Sequence, residues 1–267
     1  MTDRDAGLSR SVVLNAVDCD LLNELFAALL RLPTQPDTVP FSAPVLVFAD
    51  SEDLPLTFSA SAEDWITVHE YQLIRRNSPM PIGRPLQVAV QVDPEDVAGG
   101  AFGFQADILG LDGSKIYRTE TKLRNLRPED LRRMQGTGLP RSIDPASLDC
   151  IVTKPLDRTA VDAYLDLSGD RNPLHSDDLY AQACGLSGAV VPGMLVAGLL
   201  ENALATLRPD LPLTEARVRF LAPIYLGSNL RFCLQTPKTG PDGKVSRTRI
   251  FVMDSDDTVT AIADFFM

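Results

Sequence analysis

The chain has few of the side chains that most often build metal and redox sites. Its 267 residues include only two histidines, His69 and His175, so a multi-histidine metal site within one chain is not expected. The cysteines lie far apart and form no Cys-x-x-Cys pair, which argues against a thiolate metal site and gives no disulfide framework. The four are Cys19, Cys150, Cys184 and Cys233.

Basic charge and long apolar runs are also scarce. The 25 lysines and arginines are outnumbered by 36 aspartates and glutamates, and the resulting net charge of −11 disfavours nucleic acid as a partner. No stretch approaches the roughly 20 apolar residues that a membrane helix needs, and the polar N-terminus lacks the apolar core of a signal peptide. We therefore expect a soluble, cytoplasmic protein with neither a membrane nor a nucleic acid as its partner.

The hydrophobic content of 45% is sufficient for a packed core. Apolar residues recur with helical spacing over 18–32 and again over 194–207, where the segment is apolar nearly all round and should be buried. Shorter helices are predicted at 157–166 and 180–183, a frayed tail at 1–10, and a linker with a short helix at 127–149. Alternating or apolar runs predict strands at 40–49, 65–75, 86–92, 100–111, 115–123, 216–221, 229–235, 246–254 and 258–266.

Two pairs of turns share one sequence offset. The turn at 82–86 precedes the similar turn at 226–230 by 144 residues, and the hairpin at 112–113 precedes that at 256–257 by the same number. This offset predicts two copies of one α+β unit, each a long helix wrapped by an antiparallel sheet. The predicted boundaries are 1–140 for the first repeat, 141–150 for a linker and 151–267 for the second repeat.

The most informative stretch is Ser168–His175, which has no counterpart in the first repeat. Gly169 and Pro173 favour turns on either side of it, so Asp170 and His175, five residues apart, can face the same side of a loop and share a water molecule. Histidine exchanges protons near neutral pH, and a neighbouring carboxylate orients it or acts as a second base. Taken alone, such a pair would more often be a turn cap and an ordinary surface histidine.

A second stretch, Pro192-Gly193-Met194, opens the apolar helix. The first amides of a helix lack an internal partner and lie at the positive end of its dipole. Glycine at position 193 would let a carbonyl oxygen approach the backbone closely, as in an oxyanion hole. The simpler interpretation is that Pro192-Gly193 only begins the helix.

Together these residues carry a family resemblance. Ser168-Gly169-Asp170-x-Asn172-Pro173-Leu174-His175-x-Asp177, followed by the Gly193-Met194 helix start, resembles the hydratase-2 motif of MaoC-like (R)-specific enoyl-CoA hydratases. The resemblance covers roughly residues 155–267, and the first repeat resembles the family's degenerate amino-terminal repeat more weakly. It implies a double hot dog fold whose first half helps to house a bulky acyl chain.

Carried over by position, the resemblance assigns Asp170 and His175 to holding and activating water. Gly193 would bind the thioester oxygen, and Asn172 would organise the loop. The implied reaction, within fatty acid metabolism, is reversible hydration of a trans-2-enoyl thioester to an (R)-3-hydroxyacyl thioester. The substrate would be an acyl-CoA or acyl-carrier-protein thioester, no cofactor beyond its CoA or pantetheine is implied, and the protein could be a homodimer.

One departure and two alternatives accompany this interpretation. The family commonly has His-Gly-Met where this chain has Pro192-Gly193-Met194, which bears on substrate packing. A thioesterase of the same fold would use the same pair but release a free acid and a thiol. A non-catalytic thioester-binding subunit would keep only the fold.

Basic residues outside the motif are candidates for contacts to the phosphates of the carrier. Arg75, Arg76 and Arg84 are the candidates, because guanidinium groups bind phosphate well. The simpler interpretation for any one of them is a solvated strand face. His69, on an alternating strand of the first repeat, is interpreted as a structural residue.

Overall fold

The computed structural model of the chain describes residues 8–34, 38–49, 65–93, 101–239 and 245–267. The strands are β1 (Leu8–Val13), β2 (Ile66–Arg76), β3 (Pro85–Asp93), β4 (Ala101–Leu109), β5 (Lys115–Leu126), β6 (Asp149–Val152), β7 (Glu215–Phe220), β8 (Arg231–Thr239), β9 (Val245–Met253) and β10 (Val259–Phe266). The helices are α1 (Ala16–Leu30), α2 (Pro44–Phe48), α3 (Pro128–Leu131), α4 (Arg158–Ser168), α5 (Asp178–Ala183) and α6 (Gly193–Leu207).

All these strands form one antiparallel sheet in the order β1-β3-β4-β5-β2-β7-β10-β9-β8-β6. The first five strands and the last five follow the same order when each half is followed from the seam to its edge. The halves join where β2 pairs with β7, over the register from Tyr71 opposite Arg219 to Arg75 opposite Glu215. The predicted α+β class with antiparallel strands is confirmed, and the two predicted sheets are joined as one.

The turns that suggested the duplication have matching backbones. Gly83 and Gly227 have φ values of 69° and 83°, and Gly113 and Asp257 have φ values of 79° and 62°. Each pair is 144 residues apart and lies in the left-handed region, which glycine adopts without a Cβ clash and which aspartate tolerates. The two halves therefore share turn geometry as well as strand order.

Helices α1 and α6 cross closely and join the halves through one core. A Cβ placed on Gly198 of α6 would lie 2.1 Å from Cζ of Phe26 on α1, so the crossing requires glycine at that position. Leu22 on α1 and Leu199 on α6 are fully buried in the same apolar cluster. Of the helices within the described ranges, none has the length and apolar content to cross a bilayer.

Two local predictions in the first half are wrong. The strand predicted at 40–49 is instead the short helix α2, which Pro44 opens at a position where its missing N–H costs nothing. The carboxylate of Glu201 on α6 accepts hydrogen bonds from the amides of Phe41 and Ser42, which holds the chain leading into α2. The predicted tail is wrong from Leu8 onward, because β1 pairs with β3. Residues 1–7 of that tail and Gly100 of the strand predicted at 100–111 lie outside the described residues.

The expectation of no disulfide is also wrong. Cys150 on β6 is bonded to Cys233 on β8, 83 residues later in the chain. The two residues are directly opposite each other in the antiparallel pair, with their Cα atoms 4.2 Å apart, which is within bonding reach for a disulfide. Only the pairing of strands distant in sequence creates this contact.

Candidate active site

Side chains fold the motif loop by hydrogen bonding to its own backbone. Helix α4 ends at Ser168, and Gly169 caps it in the left-handed conformation with φ of 66°. The amide of Asn172 donates to Oδ1 of Asp170 at 3.0 Å, and the amide of Leu174 donates to Oδ1 of Asn172 at 3.1 Å. Short polar side chains favour such local turns. Asn172 therefore makes the contacts of a loop-organising residue.

The two carboxylate oxygens of Asp170 have different neighbours. Oδ1 is occupied by the Asn172 amide, while Oδ2 lies 3.6 Å from Nε2 of His175. That separation is too long for a strong direct hydrogen bond and leaves both atoms able to bind a common third group. The side chains of Asp170 and His175 are 29% and 12% exposed, so the pair is accessible but largely screened from bulk water.

The other ring nitrogen of His175 determines its tautomer. Nδ1 lies 2.8 Å from the carbonyl oxygen of Val190, and a carbonyl can only accept, so Nδ1 carries the hydrogen. In the neutral ring, Nε2 therefore carries the lone pair that faces Asp170. The arrangement presents two acceptors, one carboxylate oxygen and one imidazole nitrogen, to a single position between them.

The guanidinium of Arg158 holds the motif loop in place. It donates to the carbonyl of His175 at 2.9 Å and pairs with Asp178 at 3.1 Å. Asp178 in turn accepts from the amide of Ala189 at 2.8 Å, next to the residue that holds the His175 ring. The loop and the segment leading into α6 are thus held together by charged and backbone contacts.

Helix α6 begins at Gly193, three residues after the Val190 carbonyl that holds His175. A Cβ at position 193 would lie 3.0 Å from Cζ of Phe220 and 3.1 Å from Nδ1 of His69, which is closer than real Cβ contacts normally are. Glycine is therefore favoured by the close packing and is suited to exposing the first amide of the helix.

One cavity of about 680 Å³ brings these groups together. Asp170, Asn172, His175 and Gly193 all line it, so the structure gathers the four motif residues singled out in the sequence. The cavity continues into the first half, where its wall is mostly apolar. Residues of that part include Val45, Phe48, Phe104 and Leu123, with Gln72 and Thr121 as polar members.

The three arginines predicted to bind phosphate lie elsewhere. Arg75 forms an ion pair with the buried carboxylate of Glu215. Arg76 donates to the carbonyl of Leu213 at 3.0 Å and lies over the ring of Phe41. Arg84 is exposed in the turn before β3. None of these side chains lines the cavity, and their role toward a carrier phosphate stays a prediction.

His69 is a cavity residue that the sequence interpretation missed. It lies at a register shift of β2 against β5, and its ring packs 4.8 Å from that of Phe220. Burial lowers the pKa of His69 to about 4, a shift opposed by its hydrogen bond to the Tyr71 carbonyl and by the charge of Asp170. The sequence held one sign that could have singled out His69: it is one of only two histidines in the chain.

The fold and this cavity define a hot dog protein with a carboxylate and imidazole site at the end of its central helix. Comparison of the sequence with protein families is more specific: the MaoC like domain matches residues 146–256. The second half of the chain therefore resembles a MaoC like domain over these residues.

The chain also resembles individual dehydratases. The chain is 29% identical over 214 residues to 3-hydroxyacyl-thioester dehydratase Y of Mycobacterium tuberculosis, a match covering 74% of this chain and 70% of that protein. It is 36% identical over 67 residues to the mitochondrial 3-hydroxyacyl-[acyl-carrier-protein] dehydratase FERN of Solanum lycopersicum, covering 25% of this chain and 41% of the relative.

Solved structures show the same fold at low sequence identity. A MaoC-like dehydratase from Phytophthora capsici superposes with a TM-score of 0.69 at 14% identity, over 97% of this chain and 95% of that one. A putative oleoyl thioesterase from Lactobacillus plantarum superposes with a TM-score of 0.57 at 13% identity, over 98% and 96% of the two chains. The fold is therefore shared by dehydratases and thioesterases, and the site must distinguish them.

Proposed function

We propose that the protein is a 3-hydroxyacyl-thioester dehydratase that also catalyses the reverse reaction, the hydration of trans-2-enoyl thioesters to (R)-3-hydroxyacyl thioesters. The observation that supports this most is the pair of acceptors, Oδ2 of Asp170 and Nε2 of His175, 3.6 Å apart in the wall of the cavity that Gly193 also lines. Hydration needs a polarised water, and dehydration needs a group that takes up and returns protons.

In the hydration direction, a water between the two acceptors would donate one hydrogen to each. Its oxygen attacks C3 of the enoyl thioester, the pair takes one of its protons, and a proton is returned from the pair to C2. The net change is the addition of one water across the double bond. Because one pair handles both the oxygen and the proton, both add to the same face of the double bond, so we propose a syn addition.

The amide of Gly193 supplies the electrostatic part of the reaction. As the water attacks C3, negative charge moves through C2 to the thioester oxygen, and an N–H at the positive end of helix α6 stabilises that charge. Since Phe220 and His69 pack against Gly193, the amide is held in place before substrate arrives. No cofactor beyond the CoA or pantetheine of the substrate is part of this proposal.

The first half of the molecule would hold the acyl chain. The cavity runs from the catalytic loop to the apolar side chains of Val45, Phe48 and Phe104, and its volume of about 680 Å³ accommodates more than a short acyl group. We propose acyl-CoA or acyl-carrier-protein thioesters as the substrate class, with acyl chains longer than crotonyl entering this space.

The test follows the absorbance of the enoyl thioester with purified protein and crotonyl-CoA, then with longer enoyl-CoAs and the (R)- and (S)-3-hydroxyacyl-CoAs. The proposal expects reversible turnover of the (R) isomer alone and no release of free thiol. Thiol release detected with a thiol reagent would favour a thioesterase. Saturable binding without turnover at any chain length would favour a non-catalytic binding subunit.

A further inference from the structure

His69 belongs to the first half of the molecule. It places an uncharged hydrogen-bond acceptor in the cavity that Asp170 and His175 of the second half also line. Its Nε2 lies 3.1 Å from the Tyr71 carbonyl, and since a carbonyl accepts, Nε2 carries the hydrogen. With the ring neutral, Nδ1 has only a lone pair to offer. This Nδ1 is the atom that lies 3.1 Å from where a Cβ on Gly193 would be.

The position of this acceptor is fixed from several sides. The ring packs against Phe220, is hydrogen-bonded to the Tyr71 carbonyl, and interacts with the side chain of Gln72 and with the charges of Asp170 and His175. It also lines the same cavity as those two residues. His69 is therefore placed beside the amide that receives the thioester in the proposed function, and not at the surface.

The hydrogen-bond donors of the water and the substrate indicate what such an acceptor would bind. In the proposed reaction, the two hydrogens of the water are matched by Asp170 and His175, and the thioester oxygen accepts from Gly193. The thioester group and the carbon–carbon double bond have no hydrogen to donate. The next donor in every CoA or carrier-protein thioester is the first amide N–H of the pantetheine arm, two methylene groups beyond the sulfur.

We propose that His69 binds the pantetheine arm by accepting a hydrogen bond from this amide at Nδ1. This assignment rests on the proposed function, and it makes His69 a residue that determines specificity for the thiol part of the substrate. It also gives the first half a direct part in recognising the reacting end of the substrate, in addition to holding the acyl chain.

A matched pair of substrates tests the assignment. The crotonyl thioester of N-acetylcysteamine carries the amide, whereas the crotonyl thioester of 2-mercaptoethyl acetate has oxygen in place of that N–H and nearly the same shape. A site built to accept from an N–H discriminates against an analogue that lacks it. We expect the wild-type protein to prefer the amide substrate about tenfold in kcat/KM, the usual worth of one such bond.

Single substitutions test whether His69 is the source of that preference. In His69→Leu the two substrates should be used equally, within about twofold, whereas His69→Asn, whose Oδ1 can accept in place of Nδ1, should keep most of the preference. Phe220→Leu is the matched control, because it changes the other side chain packed on Gly193 without removing an acceptor. It should keep the tenfold ratio whatever its absolute rate.

The outcomes separate this inference from the proposed function. Absence of turnover of crotonyl-CoA and of the longer enoyl-CoAs by the wild-type protein would refute the function itself. Turnover of crotonyl-CoA with no preference for the amide substrate in the wild type would overturn the inference alone, even if His69→Leu did not fold. Full preference retained in a folded His69→Leu variant would also overturn it.

Discussion

The two halves of the sheet have the same strand order but different contents. In the second half, the 15-residue helix α6 runs through the core and begins at the active-site amide, and the preceding loop carries Asp170 and His175. In the described part of the first half, α2 spans five residues, and side chains from α2 and the neighbouring strands line the cavity. The second half carries the carboxylate and imidazole, and the described part of the first half contributes much of the apolar wall.

The difference shows that the halves are not independent units. His69 of the first half packs on Gly193 of the second, and Glu201 on α6 accepts from the amides that lead into α2, with 3.0 Å between Oε2 and the Ser42 nitrogen. Burial raises the pKa of Glu201 to about 7. Each half therefore completes a feature of the other.

The largest effect is expected when a member of the proposed acid–base pair in the second half is replaced. Asp170→Asn or His175→Ala should lower kcat by on the order of 10²–10⁴, because each takes away a positioned proton acceptor. Initial rates with crotonyl-CoA and circular dichroism measure activity and folding. Asp166→Asn, an exposed carboxylate on α4, is the control and should retain normal rates. Full activity in either site variant would show that the pair is not catalytic.

A smaller loss is expected when the helix amide is obstructed. Gly193→Ala puts a Cβ 3.0 Å from the Phe220 ring and displaces the wall that holds the amide in place. We expect kcat/KM to fall by about 10²-fold, comparable to removal of one oxyanion donor. Single-turnover and steady-state kinetics separate the effect on chemistry from that on binding. A change confined to KM would argue against an oxyanion role for this amide.

The dependence of the halves on each other is tested at the α1–α6 crossing. Gly198→Ala places a Cβ 2.1 Å from Phe26, so the helices must separate, and overpacking of this kind costs about 1–3 kcal/mol. Urea unfolding measures the loss, and the combined variant with Phe26→Leu should recover much of it. Two separate unfolding transitions would show instead that the halves are stable without each other.

The smallest predicted effect is a pH dependence that comes from the first half. Unfolded histidine binds a proton near its ordinary pKa of 6.5, whereas His69 in the folded protein does so only at about 4. Its contribution to stability is therefore complete above pH 6.5 and is lost as the pH falls toward 4. Since the side chain is partly accessible, we expect on the order of 1–2 kcal/mol.

Unfolding free energies of wild type and His69→Asn, measured between pH 7 and pH 4, test this expectation. The variant has no group that titrates at this position, so its stability should fall less steeply over that interval. Identical pH profiles for the two proteins would contradict the assignment of a depressed pKa to His69.

Sequence patterns were sufficient where the signal is local. The apolar spacing in α1 and α6, the loop from Ser168 to His175 and the turns 144 residues apart all correspond to features of the structure. Local signals failed at 40–49, where an apolar segment is compatible with a strand or a helix. There the helix is favoured by Pro44 and by a carboxylate 160 residues away, a contact that no local pattern reveals.

The amino-acid sequence by itself determined the turns, the main helices and the residues of the motif loop, because neighbouring residues carry that information. Tertiary structure alone decided that His69 faces Gly193, that Cys150 bonds Cys233 and that Arg75 pairs with Glu215 away from the cavity. Each of these contacts joins residues that are far apart in the chain. They depend on which strands pair at the seam and at the edge of the sheet, and strand pairing is set by the packing of the whole core.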